Sequence, residues 1–183
     1  MVKDRGLSAK ASVPEGVEAT LHGTVLTMKG PKGVVSRDFS KVPVKVSVSG
    51  AEVTIGTLRA RRTDRAILNT CLSHIDNMVK GVTQGFEYRL KVAFAHFPVT
   101  IKVKGSEVHI ENFYGERSPR VAAIVGEQTK VTTEGDDVVV KGPSLEDVSQ
   151  TAANIESATR VKERDVRVFL DGVYIYERKK PDQ

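Results

Sequence analysis

The chain has 183 residues, enough for one domain or two small ones, and its 39% hydrophobic content can supply a core. With 28 Lys and Arg against 23 Asp and Glu, the net charge is +5 and the pI about 9.3; this leaves open both a polyanionic partner and an ordinary, slightly basic soluble protein. A single cysteine, Cys71, excludes an intramolecular disulfide and a zinc site built on cysteines, and the lack of an apolar leader or of any apolar run near ~20 residues points to a cytoplasmic chain with no membrane partner.

Residues 1–12 are polar and unpatterned and are expected as an N-terminal arm. Short alternating segments follow: Val17–Leu21, Thr24–Met28, Val42–Val48 and, after Gly50, Val53–Ile55. Alternation over 4–8 residues marks half-buried strands. Gly30-Pro31-Lys32-Gly33 reads as a turn carrying a cation. The period then changes. Ile67, Leu68, Cys71, Leu72, Ile75, Met78, Val79 and Val82 recur at helical spacing, which predicts a helix from about Leu58 to Lys80 with Gly81 as its stop. Cys71 lies on that apolar face and reads as a core residue, because reactive thiols sit in exposed, electropositive places. Phe86–Phe94 alternates again as a long strand.

The order of elements then repeats. Gly23 to Gly105 is 82 residues and Gly50 to Gly135 is 85. Val13-Pro14 is echoed by Phe97-Pro98, and a helix follows in both halves. In the second half, Ser144 offers an N-cap with Asp147 three residues on, and Leu145, Val148, Ala152 and Ile155 supply the apolar face. A long internal period present in two copies implies two tandem α+β domains of similar build, each a small, mostly antiparallel sheet packed on one helix. The expected boundaries are 13–93 and 94–183, with the division near Leu90–His96.

No catalytic constellation is present. His22, His74, His96 and His109 are scattered, and no metal-binding, phosphate-loop or nucleophile-elbow motif occurs, so no enzyme activity, metal or cofactor is expected. The cations carry more information. Arg59, Arg61, Arg62 and Arg65 cluster at the start of the first helix, where they oppose its dipole; an external anion and a solvated face are both open readings. In the second half Lys102 and Lys104 precede a loop bearing Arg117 and Arg120, and Arg160, Lys162, Arg164, Arg167, Arg178 and Lys179 follow the second helix. Arginine forks suit phosphate oxygens, and Phe113, Tyr114 and Tyr174 nearby are equally open to base stacking and to a role in the core.

The closing segment carries a resemblance. Arg167, Phe169, Asp171, Gly172 and Tyr174 match an Arg-x-Phe-x-Asp-Gly-x-Tyr pattern after a helix, with Lys162 or Arg164 in the upstream basic place. With the duplicated layout, this resembles the archaeal and eukaryotic form of ribosomal protein L six, called L nine in eukaryotes, and more the archaeal form because the chain is short and has no basic extension. The family pattern often opens with a Gln, absent from Ser157-Ala158-Thr159. The resemblance implies a structural protein of the large ribosomal subunit. It implies binding to large-subunit rRNA near the stalk base and sarcin–ricin region, mainly through the second domain, with neighbouring ribosomal proteins and translation factors close by. A free-standing RNA-binding regulator of similar fold is the alternative.

Overall fold

The computed structural model describes residues 6–93, 97–162, 165 and 167–179. It divides into two units, Met1–Gly85 and Phe86–Gln183.

In the first unit, strands β1 (Ser8–Ser12), β2 (Glu18–His22), β3 (Val25–Gly30), β4 (Gly33–Asp38), β5 (Val44–Ser49) and β6 (Glu52–Thr57) precede helix α1 (Arg62–Thr83). The strands form two antiparallel three-stranded sheets, ordered β2-β3-β4 and β1-β6-β5. Leu26, Met28, Val53 and Ile55 from the two sheets are fully buried together with Ile75 and Val82 of α1. Cys71 is buried among them, and that burial pushes its thiol up, with the charge of Arg37 pulling weakly the other way.

Three expectations for this half change. Residues 8–12 are strand, not arm: Ala9 and Ala11 stand opposite Ile55 and Val53, and β1 covers an edge of β6 that would otherwise be unpaired. Alanines between polar residues give too faint an alternation to announce this strand. Residues 1–5 of the expected arm lie outside the described residues. The helix starts at Arg62, not near Leu58, because the Thr57 hydroxyl donates to the Arg59 carbonyl at 2.8 Å and Asp64 accepts the Arg61 N–H at 3.2 Å. It also runs past Gly81, which is buried on its inner face. The stop is Gly85, at φ 82°, whose N–H reaches the Lys80 carbonyl. The Gly30–Gly33 turn docks on this end of α1: Lys32 N–H donates to the Val82 carbonyl at 2.9 Å, and a Cβ on Gly30 would lie 2.6 Å from that same oxygen.

In the second unit, β7 (Phe86–Ala93), β8 (Thr100–Lys104), β9 (Glu107–Glu111), β10 (Arg120–Ala123), β11 (Lys130–Glu134) and β12 (Asp137–Gly142) precede α2 (Leu145–Ala158) and β13 (Gly172–Lys179). Again there are two antiparallel sheets, ordered β10-β9-β8 and β11-β12-β7-β13. Val148, Ala152 and Ile155 of α2 are fully buried against them. Ser144 caps α2 as expected, accepting the Asp147 N–H at 3.3 Å. The long strand β7, expected to close the first domain, instead lies inside the second unit's sheet, between β12 and β13. Its alternation identifies a buried face but not the partner strands, which lie far along the chain. The division therefore falls at Gly85–Phe86, earlier than the expected Leu90–His96, of which residues 94–96 lie outside the described set. Among the described residues no helix is long and apolar enough to cross a membrane.

Candidate nucleic-acid interface

The expected cations of the second unit occupy three places. The central one is built by two loops. After β9 the chain turns through three successive left-handed positions separated only by Phe113: Asn112 at φ 61°, Tyr114 at 53° and Gly115 at 73°. A left-handed non-glycine residue costs on the order of 1 kcal/mol. Here the Asn112 side chain donates to the Pro98 carbonyl at 3.0 Å, and Phe113 is driven into the core. Tyr114 then stands edge-on to Phe113, with centroids 4.6 Å apart, and to Phe169 of the second loop, 5.8 Å away.

Arg120 joins the loops. Its Nε and Nη2 fork onto Glu116 at 2.9 and 2.7 Å. Its Nη1 donates to the carbonyls of Ala158 and Arg160 at 3.1 and 3.2 Å, and its guanidinium lies 4.3 Å over the Phe113 ring. A cation at the carbonyl end of α2 also suits the helix dipole. Arg120 was expected on phosphate; in the fold its Nε, Nη1 and Nη2 all hydrogen-bond within the protein.

The second loop is held as firmly. The Thr159 hydroxyl donates to the Glu156 carbonyl and accepts the Val173 N–H, each at 3.0 Å, tying the end of α2 to the start of β13. Asp165 sets a turn: its carboxylate accepts the Arg167 N–H at 2.9 Å, and its carbonyl accepts those of Val168 and Phe169 at 3.1 and 3.0 Å. The Tyr174 hydroxyl donates to the Leu170 carbonyl at 3.1 Å, and the phenol end of that ring closes over Gly172, where a Cβ would lie 2.8 Å from Cζ. Tyr174 is thus a clasp for the turn, and a side chain at position 172 would push its ring aside. On this scaffold Arg117, Arg160, Lys162 and Arg167 are exposed, with no ion pair to a described residue. Arg164 lies outside the described residues.

The other expected cations lie elsewhere. Lys102 and Lys104 sit on β8, two strands from β10, and both face Glu111 on β9, Lys104 at 4.0 Å. The hydrogen bond from Lys102 is the main reason that the Glu111 carboxyl is held below the usual range, against the effect of burial. These two lysines are therefore partly compensated. Arg178 and Lys179 end β13, roughly 20 Å along the strand from Gly172 by the usual rise per residue. Arg178 lies 6.0 Å from the Tyr88 ring centroid, and Lys179 is 3.9 Å from Glu177.

Pattern reading missed Arg89 and the exposure of Val168 and Leu170. Arg89 bonds Glu87 at 2.6 Å and approaches Glu177 at 3.6 Å, which holds its guanidinium firmly charged. Burial pushes the Glu87 carboxyl up, but hydrogen bonds from Arg89 and Lys141 outweigh it and hold the group low. In the first unit Arg59, Arg61, Arg62 and Arg65 are all exposed at the start of α1, while the Asp64 carboxylate is taken by the Arg61 N–H.

The two-unit architecture agrees with the comparisons. The family model described as ribosomal protein L6 matches residues 13–85 and again 97–172. The chain is similar to large ribosomal subunit protein uL6 of Methanocella arvoryzae, 49% identical over 164 residues that cover 89% of this chain and 92% of that protein. It is 44% identical to the protein of the same name from Staphylothermus marinus, over 97% of each chain. With uL6 of Saccharolobus solfataricus it shares 44% identity over 94% of this chain and 95% of the other. The chain belongs to the ribosomal protein L6 family, in its archaeal form, a family of structural and not enzymatic proteins.

Proposed function

We propose that the protein is a structural constituent of the large ribosomal subunit, residing on cytoplasmic ribosomes, and that its second unit binds large-subunit rRNA near the stalk base and the sarcin–ricin, factor-binding region. Membership of the L6 family supports the ribosomal role, and the relatives' names as large-subunit proteins support the subunit. The position on the rRNA, and the neighbouring ribosomal proteins and translation factors, rest on the family resemblance of the Arg167–Tyr174 segment.

The observation that carries RNA binding is the pair of cross-braced loops presenting Arg117, Arg160, Lys162 and Arg167 without carboxylate partners among the described residues. Phosphate contacts of this kind release counterions, so affinity falls steeply with salt. A-form RNA hides its base edges in a deep major groove; a folded surface reads the spacing of phosphates and 2′-hydroxyls. The protein performs no chemistry and braces RNA elements against one another. Gradient sedimentation of a lysate tests the proposal: the protein is expected with large subunits at moderate salt, and a pool wholly free of them refutes it. Crosslinking with peptide mapping is expected to place RNA on residues 116–120 and 160–171.

A further inference from the structure

Val168 and Leu170 are each 63% exposed, yet they sit in a turn that is fixed at every side. Asp165 orders its backbone, the Tyr174 hydroxyl holds the Leu170 carbonyl, and Phe169, between the two aliphatics, points inward to Tyr114. The loop is braced so that two aliphatics, one residue apart, project from it together. Its surroundings are cationic, with Arg167 adjacent and Arg160 and Lys162 on the same segment, all exposed.

We infer that the Arg167–Leu170 turn enters the minor groove of double-stranded RNA, with Val168 and Leu170 against the ribose walls and the flanking cations on the phosphates. This rests on the reading of the surface as an RNA contact and specifies which form of RNA it fits. The minor groove of an A-form duplex is wide and shallow and displays riboses with their 2′-hydroxyls and base edges, so a short projection reaches the sugar carbons without distorting the duplex. The minor groove of B-form DNA is narrow, about 6 Å, and admits apolar side chains chiefly by being kinked. Single strands are gripped by open aromatic faces. Here Phe169 and Tyr114 are packed edge-on against each other, and Tyr174, although 45% exposed, is held with its ring tip over Gly172 by its bond to the Leu170 carbonyl. What the turn offers outward is aliphatic.

The test uses the full chain and four probes at one ionic strength, followed by fluorescence anisotropy: a 16-base-pair RNA duplex, the DNA duplex of the same sequence, one RNA strand alone, and large-subunit rRNA. The RNA duplex is expected to bind more tightly than either the DNA duplex or the single strand. The double variant V168S/L170S is expected to lose roughly tenfold in affinity for the RNA duplex, from the lost apolar contact, with an unchanged salt dependence and melting temperature. Arg167→Ala is expected to lower the salt slope by about one. If the double variant binds the RNA duplex as the wild type does, or if the single strand is preferred, the inference is overturned. Intact binding to large-subunit rRNA in that case leaves the proposed function standing. A double variant that loses only its association with large subunits would assign the turn to a protein neighbour instead. Failure of the wild type to bind any RNA, including large-subunit rRNA, would remove the underlying reading as well.

Discussion

If Arg120 is a brace between the two loops and not a phosphate ligand, its replacement must show first in stability. Arg120→Ala leaves the Ala158 and Arg160 carbonyls without their charged donor at the end of α2. Hydrogen bonds involving a charged group contribute roughly 1.5–3 kcal/mol net. The stack on Phe113 adds about 0.5–1 kcal/mol. The Glu116 fork adds less than about 1 kcal/mol, because that carboxylate is 40% exposed and screened. These terms share one side chain and do not sum, so the expected loss is about 2–4 kcal/mol. In a unit of this size each kcal/mol moves the melting midpoint by about 4–8 °C, so the second unit's transition should fall by roughly 8–32 °C. Arg120→Lys is the decisive variant. It keeps the charge, but an ammonium cannot serve Glu116 and two carbonyls from one planar fork. Circular dichroism during urea and thermal unfolding, with duplex RNA affinity measured on the same samples, separates the roles. A brace predicts lost stability in both variants. A phosphate ligand predicts a Lys variant of wild-type stability and near-wild-type RNA affinity, with a salt slope lowered only by Ala. A Lys variant as stable as wild type would refute the bracing role.

Other outcomes follow from the same geometry. Gly30→Ala should destabilise the first unit by about 1–3 kcal/mol in a urea titration, since its Cβ meets the Val82 backbone oxygen and not a yielding side chain. Ile155→Ala, at a fully buried position on α2, should cost the second unit about 2–5 kcal/mol and leave the first unit's transition in place. Tyr174→Phe removes the bond to the Leu170 carbonyl and should cost about 0.5–1.5 kcal/mol, read from the same melting curves. Glu111 should titrate below the ordinary glutamate range in a carboxyl-resolved NMR titration, and Lys102→Ala should return it toward that range. Because its folded-state value is depressed, this pair's stabilisation is present above the unfolded value and is lost as pH falls through the folded one. The Lys102→Ala variant should therefore lose less stability on acidification than the wild type.

What the chain's own pattern determined is local. Glycines at hairpin turns, such as Gly50 and Gly135, both at positive φ, and the change from alternating to helical spacing mark most strands and both helices, because these features depend on neighbours within a few residues. The Ser144 cap and the burial of Cys71 were legible for the same reason. The repeat of that pattern implied two similar units, and the Arg167–Tyr174 motif implied the family. Tertiary structure decided the rest. Only pairing across the sheet shows that Ser8–Ser12 completes β6 and that β7 lies between β12 and β13. Only folding brings Arg120 to carbonyls 38 and 40 residues away, sets Lys102 beside Glu111, and leaves Val168 and Leu170 outside the core. A cation's role depends on which carboxylates and carbonyls reach it, and an aliphatic's role on which surfaces close over it. Both are set by long-range contacts, so the nine described candidate cations, which look alike in sequence, separate into a brace, compensated charges and exposed charges only in the folded chain.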